Sequence, residues 1–129
     1  GPLPALALTT DTSILTAAGN DYGFDEVFER QVRALARPGD LLVLHSTSGE
    51  SENLVRAARA ARALDVATAA LLARDGGRLA GEVDLPIVIP TRSTARAQEM
   101  HLLVGHVVCD IVDEAVAEGT RHTNPPRRA

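Results

Sequence analysis

Leu41–Leu54, LLVLHSTSGESENL, decides the fold. Four consecutive aliphatic residues, Leu41, Leu42, Val43 and Leu44, have the length of a short buried strand. Ser46, Thr47, Ser48, Gly49 and Ser51 then crowd hydroxyls and a glycine into a tight turn, after which a helical pattern begins. Strand, small polar turn and helix in that order are how parallel α/β sheets hold an anion. A helix N-terminus leaves backbone N–H groups unpaired and carries positive partial charge, and side-chain hydroxyls add donors around it. Serine is also a favoured N-cap, so a single Ser would indicate no more than a cap and a turn. Three Ser, a Thr and a Gly within six residues favour the anion site. Glu50 is an awkward neighbour for a phosphate, because like charges repel, so it should face solvent or a cation.

Toward the C-terminus, Glu52–Leu64 sets Leu54, Val55, Ala58, Ala61 and Leu64 on one face, which predicts a helix covering the sheet. Val66–Ala73 (VATAALLA) is a further apolar run. The turn Arg74-Asp75-Gly76-Gly77 and a single helical turn near Arg78–Gly81 follow it. Leu85–Ile89 (LPIVI) is the last strand, and Pro86 confines it to an edge or a strand start. Ser93 or Thr94 caps a long helix predicted to reach Glu118 and to end at Gly119.

Toward the N-terminus, Phe24–Arg37 repeats apolar residues at spacings of three and four, a helix. Gly19–Gly23 is dense in turn formers and reads as a loop. Asp11 or Thr12 caps a brief helix over Ser13–Ala18, and Ala5–Thr10 (ALALTT) reads as a buried strand. Residues 1–119 form one domain on this reading, and residues 120–129, with Asn124-Pro125-Pro126, a disordered tail. Strands alternating with helices imply right-handed crossovers. The fold class is therefore α/β, a three-layer parallel sheet with helices on both faces. Ligands in such sheets sit beyond the carboxyl ends of the strands. Thr9, Thr10, Asp11, the hydroxyl turn and Asp75 fall along that edge.

With 129 residues the chain suits one core, and three aromatics, Tyr22, Phe24 and Phe28, leave that core aliphatic. So few aromatics supply no base-stacking platform, and a net charge of −4 gives no general attraction to nucleic acid or an anionic membrane. The lone Cys109 lies in VVCDIV and reads as buried core filler. A single cysteine also fits a reducing compartment, so the expected location is cytoplasmic.

The long helix carries the titratable candidates. Gln98 and His106 lie two turns apart and about 80° around the axis, so both can line one cavity. His101 and His106 point about 140° apart and are not a helical two-His metal pair. Spacing alone leaves His106 open between a core histidine and a functional one, and His45 at a strand end ranks below it. Gly105 inside a helix suggests that something packs closely there. Asp21 and Asp75 are each read as turn residues or as site residues. No GxxxxGK[ST] motif, HExxH motif or Cys pair is present.

LLVLHSTSGES resembles the strand and phosphate loop of SIS (sugar isomerase) domains, whose usual form is ISTSGNS. GNDYGFDEVFERQV, ARDGGRLAG and ARAQEMHLLVGH extend the resemblance to the phosphoheptose isomerase family over residues 3–116. The resemblance implies flavodoxin-like topology and a homotetramer with active sites between subunits. The implied reaction is isomerisation of sedoheptulose 7-phosphate to D-glycero-D-manno-heptose 7-phosphate through an enediol. It implies phosphate binding by Ser46, Thr47, Ser48 and Ser51, sugar contacts from Asn20 and Asp21, and catalytic roles for Asp21, Gln98 and His106. In metal-bearing members it implies Zn2+ held partly by Gln98 and His106. Moving a carbonyl from C2 to C1 needs an acid and a base, and histidine, titrating near pH 6.5 as a residue type, suits either role.

Family members also carry an N-terminal helical region, a first strand and a GNGGSAA-type loop. These supply a catalytic Glu, a further His ligand and a second Ser, and none of them is in this sequence. The expected SIS domain is therefore N-terminally incomplete, and alone a weak isomerase. The same family holds the DnaA initiator-associating protein, a binding module similar in LPALALTTD, FERQVRALA and ARAQEMH. It has Arg in place of Ser48 and lacks the histidine at His106, which favours the isomerase. A sugar-phosphate sensor without turnover is a third reading.

Overall fold

The computed structural model describes residues 2–123, with side chains as far as Glu118. Three parallel strands, β1 (Leu41–Ser46), β2 (Ala67–Ala73) and β3 (Leu85–Ile89), form one sheet in the order β1-β2-β3. The register pairs Leu41 with Ala67 through to Ser46 with Leu72, then Ala69 with Leu85 through to Ala73 with Ile89. β3 is an outer strand, as Pro86 requires, since proline donates no ladder hydrogen bond.

Side chains alternate across a strand, and the two faces take different helices. Leu44, Ala70 and Leu72 pack with Val55, Ala58 and Ala61 of α3 (Glu52–Ala63). Buried Ala57, Ala58, Ala60 and Ala61 keep α3 small on its inner side, so the helix lies close to the sheet. Val32 of α2 (Val27–Leu35) joins the same core. On the opposite face, His45 meets His101 of α4 (Thr94–Thr123) with ring centroids 5.9 Å apart. The expected α/β parallel sheet with helices on both faces is the one observed.

Four local expectations are corrected. Residues 5–10 make no strand: they form a coil and a turn in which Thr10 N–H donates to Ala7 O. A strand needs ladder hydrogen bonds to a neighbour, and among the described residues this segment pairs with no strand. What fixes it is Gln31, whose Nε2 donates to Leu8 O at 3.0 Å and Val27 O at 2.9 Å. Gly19–Gly23 is not a loop, because α1 runs Thr12–Tyr22, started by Asp11 Oδ1 accepting from Ile14 N–H and stopped at Gly23. One apolar face outweighed the turn formers there: buried Ala18 and half-buried Gly19 lie inward, with Val27 3.8 Å from where a Gly19 Cβ would stand. The Phe24–Arg37 pattern divides into a 3₁₀ turn, Phe24–Glu26, and α2. α4 continues past Gly119 to Thr123, as isolated glycines such as Gly105 and Gly119 are tolerated in so long a helix. The rest of the expected disordered tail, residues 124–129, lies outside the described residues.

The start of β3 is tied to β2 by a reciprocal pair. Thr68 N–H and Thr68 Oγ1 donate to Asp84 Oδ2 at 2.8 and 2.7 Å, and Asp84 N–H donates to Thr68 Oγ1 at 2.9 Å. The Thr68 hydroxyl, then its N–H, hold the Asp84 carboxyl below the ordinary carboxylate range. A carboxyl lowered by folding stabilises above its unfolded pKa, and that stabilisation is lost as pH falls through the lowered value. Asp84→Asn is therefore expected to flatten the fall of Tm between about pH 5 and about pH 2, measured by thermal melts across that range. An unchanged acid slope would rule out this carboxylate as a contributor.

Candidate active site

β1 ends at Ser46, and the six residues 46–51 bend back on themselves before α3 starts. Ser46 Oγ accepts from Gly49 N–H at 2.9 Å, and Ser48 Oγ accepts from Glu50 N–H at 3.2 Å. Each oxygen thus closes the loop while its own O–H stays able to donate elsewhere. Ser51 is the N-cap of α3, yet its side chain makes no cap hydrogen bond, so its hydroxyl is left over.

The turn depends on Gly49, at φ +69°, a conformation that other residues adopt at a penalty. A Cβ there would stand 1.9 Å from Gly76 O, and one on Gly77 would stand 2.6 Å from Ser48 O. The two glycine loops therefore lie backbone on backbone, joined by Leu79 N–H donating to Gly49 O at 2.9 Å.

α4 supplies the opposite wall. Ala97 and His101, one turn apart, are buried. His101 Nε2 lies 3.0 Å from Leu72 O, and since a carbonyl only accepts, Nε2 carries the proton. That anchor turns Gln98, Gly105 and His106 onto a cavity of about 570 Å³ whose other wall is Ser46, Thr47, Ser48 and Ser51. The four hydroxyl residues, Gln98 and His106 thus share one cavity, as the helical spacing predicts. No Lys or Arg is among the described residues that line it, so positive potential there comes from the N-terminus of α3 and from N–H and O–H donors.

Other expectations fare differently. Asn20 and Asp21 occupy the last turn of α1, exposed and bonded to each other at 2.8 Å, and they do not line this cavity. Asp75 accepts from Gly77 N–H at 3.2 Å and serves its own turn. Cys109 is exposed rather than buried, because it faces the open cavity rather than a packed element. Gly105 has nothing within 4 Å of a built Cβ, so in place of close packing it leaves open space in the cavity.

His45 and Arg78 are the residues that sequence reasoning undervalued. His45 lines the cavity although a strand-end histidine carries little signal. Its imidazole is lowered from its ordinary value, first by desolvation beside α4 and then by His101. Glu50 faces a cation, as its place beside an anion loop requires. Arg78 Nε donates to Glu50 Oε2 at 2.9 Å, and a second guanidinium nitrogen donates to Glu52 Oε2 at 3.0 Å. Arg78, then Arg56, hold the Glu52 carboxyl below the ordinary carboxylate range.

Sequence comparison matches residues 2–73 to the SIS domain. The chain belongs to the SIS domain family. It is 51% identical over 117 residues to the phosphoheptose isomerase of Aquifex aeolicus (strain VF5), covering 91% of this chain and 61% of that one. The phosphoheptose isomerase of Roseiflexus sp. (strain RS-1) is 53% identical over 116 residues, with 90% and 59% covered. The solved structure of phosphoheptose isomerase GmhA from Neisseria gonorrhoeae superposes with a TM-score of 0.85 at 53% identity, covering 87% of this chain and 62% of that chain. The SIS chain thus spans about three fifths of the length of these relatives.

Proposed function

We propose that the protein is a phosphoheptose isomerase, converting sedoheptulose 7-phosphate to D-glycero-D-manno-heptose 7-phosphate. The observation that carries this reading is the convergence of Ser46, Thr47, Ser48 and Ser51 with Gln98 and His106 on one cavity. The hydroxyl loop and the N-terminus of α3 hold the phosphate end of the sugar, fixing the reacting end at the α4 wall. His106 there moves the proton. The C1 proton leaves as the C2 carbonyl oxygen takes one up, giving the enediol, and a proton then delivered to C2 is matched by loss of the O1 hydroxyl proton, which leaves the carbonyl on C1. Gln98 hydrogen-bonds the sugar oxygens, and Asn20 and Asp21 act from α1 on the sugar of a neighbouring site.

Gln98 and His106 also offer an amide oxygen and an imidazole nitrogen, donors that zinc accepts. Among the described residues no group of three His, Cys, Asp or Glu could hold a metal ion, so these two supply part of a set. Zinc bound there would supply Lewis-acid polarisation of a sugar oxygen. The proposed assembly is a homotetramer with sites between subunits. Leu102, Leu103, Val107, Val108 and Ile111 support it, because they expose an apolar face along α4. Among the described residues no helix is long and apolar enough to cross a membrane.

The test is NMR of the zinc-supplied, full-length protein with sedoheptulose 7-phosphate, where aldose signals are expected to grow. No product would overturn the isomerase reading, and capture of the replication initiator by the same sample would favour the binding module.

A further inference from the structure

Two carboxylates flank the hydroxyl that caps the anion-binding helix. Glu50 precedes Ser51 and Glu52 follows it, and no Lys or Arg lines the cavity among the described residues. Left unpaired, both charges would oppose an incoming phosphate. Arg78 answers both, and Arg56 shares Glu52, its Nε donating to Glu52 Oε1 at 3.2 Å. From the 3₁₀ turn Arg78–Gly81, the Arg78 guanidinium reaches Glu50 Oε2 at 2.9 Å, Glu52 Oε2 at 3.0 Å and Glu50 O at 2.9 Å. The Arg78 backbone N–H also donates to Glu50 Oε1 at 2.9 Å, one residue before Leu79 N–H meets Gly49 O.

We propose that Arg78 is a positioning residue for phosphate binding: it clamps the Ser46–Ser51 loop to the Gly76–Gly77 loop, neutralises Glu50 and, together with Arg56, neutralises Glu52. It acts through those carboxylates and the Glu50 carbonyl, and touches no substrate. The planar guanidinium is what allows one side chain to serve three acceptors, a geometry that the point charge of lysine reproduces only in part. The proposal rests on the reading of the loop as a phosphate site.

Arg78 and Glu50 are both about half exposed, and exposed ion pairs add little to stability. The clamp should therefore appear in affinity rather than in melting. Titrating inorganic phosphate into the protein, followed by 31P NMR, is expected to show Arg78→Ala binding about tenfold more weakly than wild type at nearly the same Tm. Arg78→Lys is expected to recover part of that loss. Glu50→Gln added to Arg78→Ala is expected to recover part of it too, because it removes a charge that Arg78 no longer neutralises. Phosphate bound equally by wild type and Arg78→Ala would overturn the clamp and leave the phosphate site standing. A loss that tracks a collapse in Tm and is recovered by neither second variant would overturn it as well. Wild type that binds no phosphate would overturn both.

Discussion

Replacing His106 by alanine is expected to lower kcat for sedoheptulose 7-phosphate isomerisation by about 10²–10⁴-fold, the usual contribution of a positioned general acid or base. Phosphate affinity should stay nearly unchanged, because the loop hydroxyls and the N-terminus of α3 lie across the cavity from His106 and none of their hydrogen bonds involves it. The split is the informative part. If the imidazole moves protons, turnover falls while binding of inorganic phosphate persists. A variant that loses both together would mean that His106 shapes the cavity, and a variant that keeps its kcat would remove His106 from the chemistry. Stability should not confuse the result, since His106 is exposed and α4 is anchored nearer its N-terminus by buried Ala97 and His101. His101→Ala is a useful contrast. It breaks the bond to Leu72 O, and is expected to lower Tm as well as activity.

The legible parts of the sequence were those whose pattern carries its own cause. The strand, hydroxyl turn and helix at residues 41–64 are specified by local chemistry, namely an aliphatic run, a glycine where the backbone needs positive φ, and an alanine-rich inner face. The α4 spacing brought Gln98 and His106 to one wall in the same way. What failed depended on neighbours. An aliphatic segment such as Ala5–Leu8 becomes a strand only when another strand completes its ladder, and periodicity does not say whether one is present. Cys109 sits in a run that looks like core, yet a helix face is buried only if something packs on it. Asn20 and Asp21 read as a loop because their residue types favour turns, but α1, started by Asp11 and packed inward at Ala18, runs on through them to Tyr22. Arg78 left no trace, since a contact to Glu50, twenty-eight residues away, depends on how β2 returns beside β1. Only the need of Glu50 for a cation could be anticipated, not which cation would meet it.

Gly49→Ala should be the most damaging single-methyl change in the loop. Two separate penalties act there. The backbone sits at φ +69°, where a side chain costs roughly 1–2 kcal/mol. The new Cβ would also stand 1.9 Å from Gly76 O and 2.5 Å from Gly76 C, so one of the two loops must shift. Overpacking of this kind costs about 1–3 kcal/mol, which brings the total to roughly 2–5 kcal/mol. For a domain of this size that lowers Tm by on the order of 10 °C. Phosphate binding should be lost as well, because moving Gly49 breaks the bond from its N–H to Ser46 Oγ and the bond from Leu79 N–H to its carbonyl. Gly39→Ala separates the two penalties. Gly39 also has positive φ, +97°, but nothing lies within 4 Å of its built Cβ. It should show the backbone penalty alone and keep phosphate affinity. If Gly49→Ala melts like Gly39→Ala and still binds phosphate, the close contact of the two glycine loops does not shape the anion site. If it melts far lower and binds nothing, the contact is what holds the hydroxyls of Ser46 and Ser48 in place.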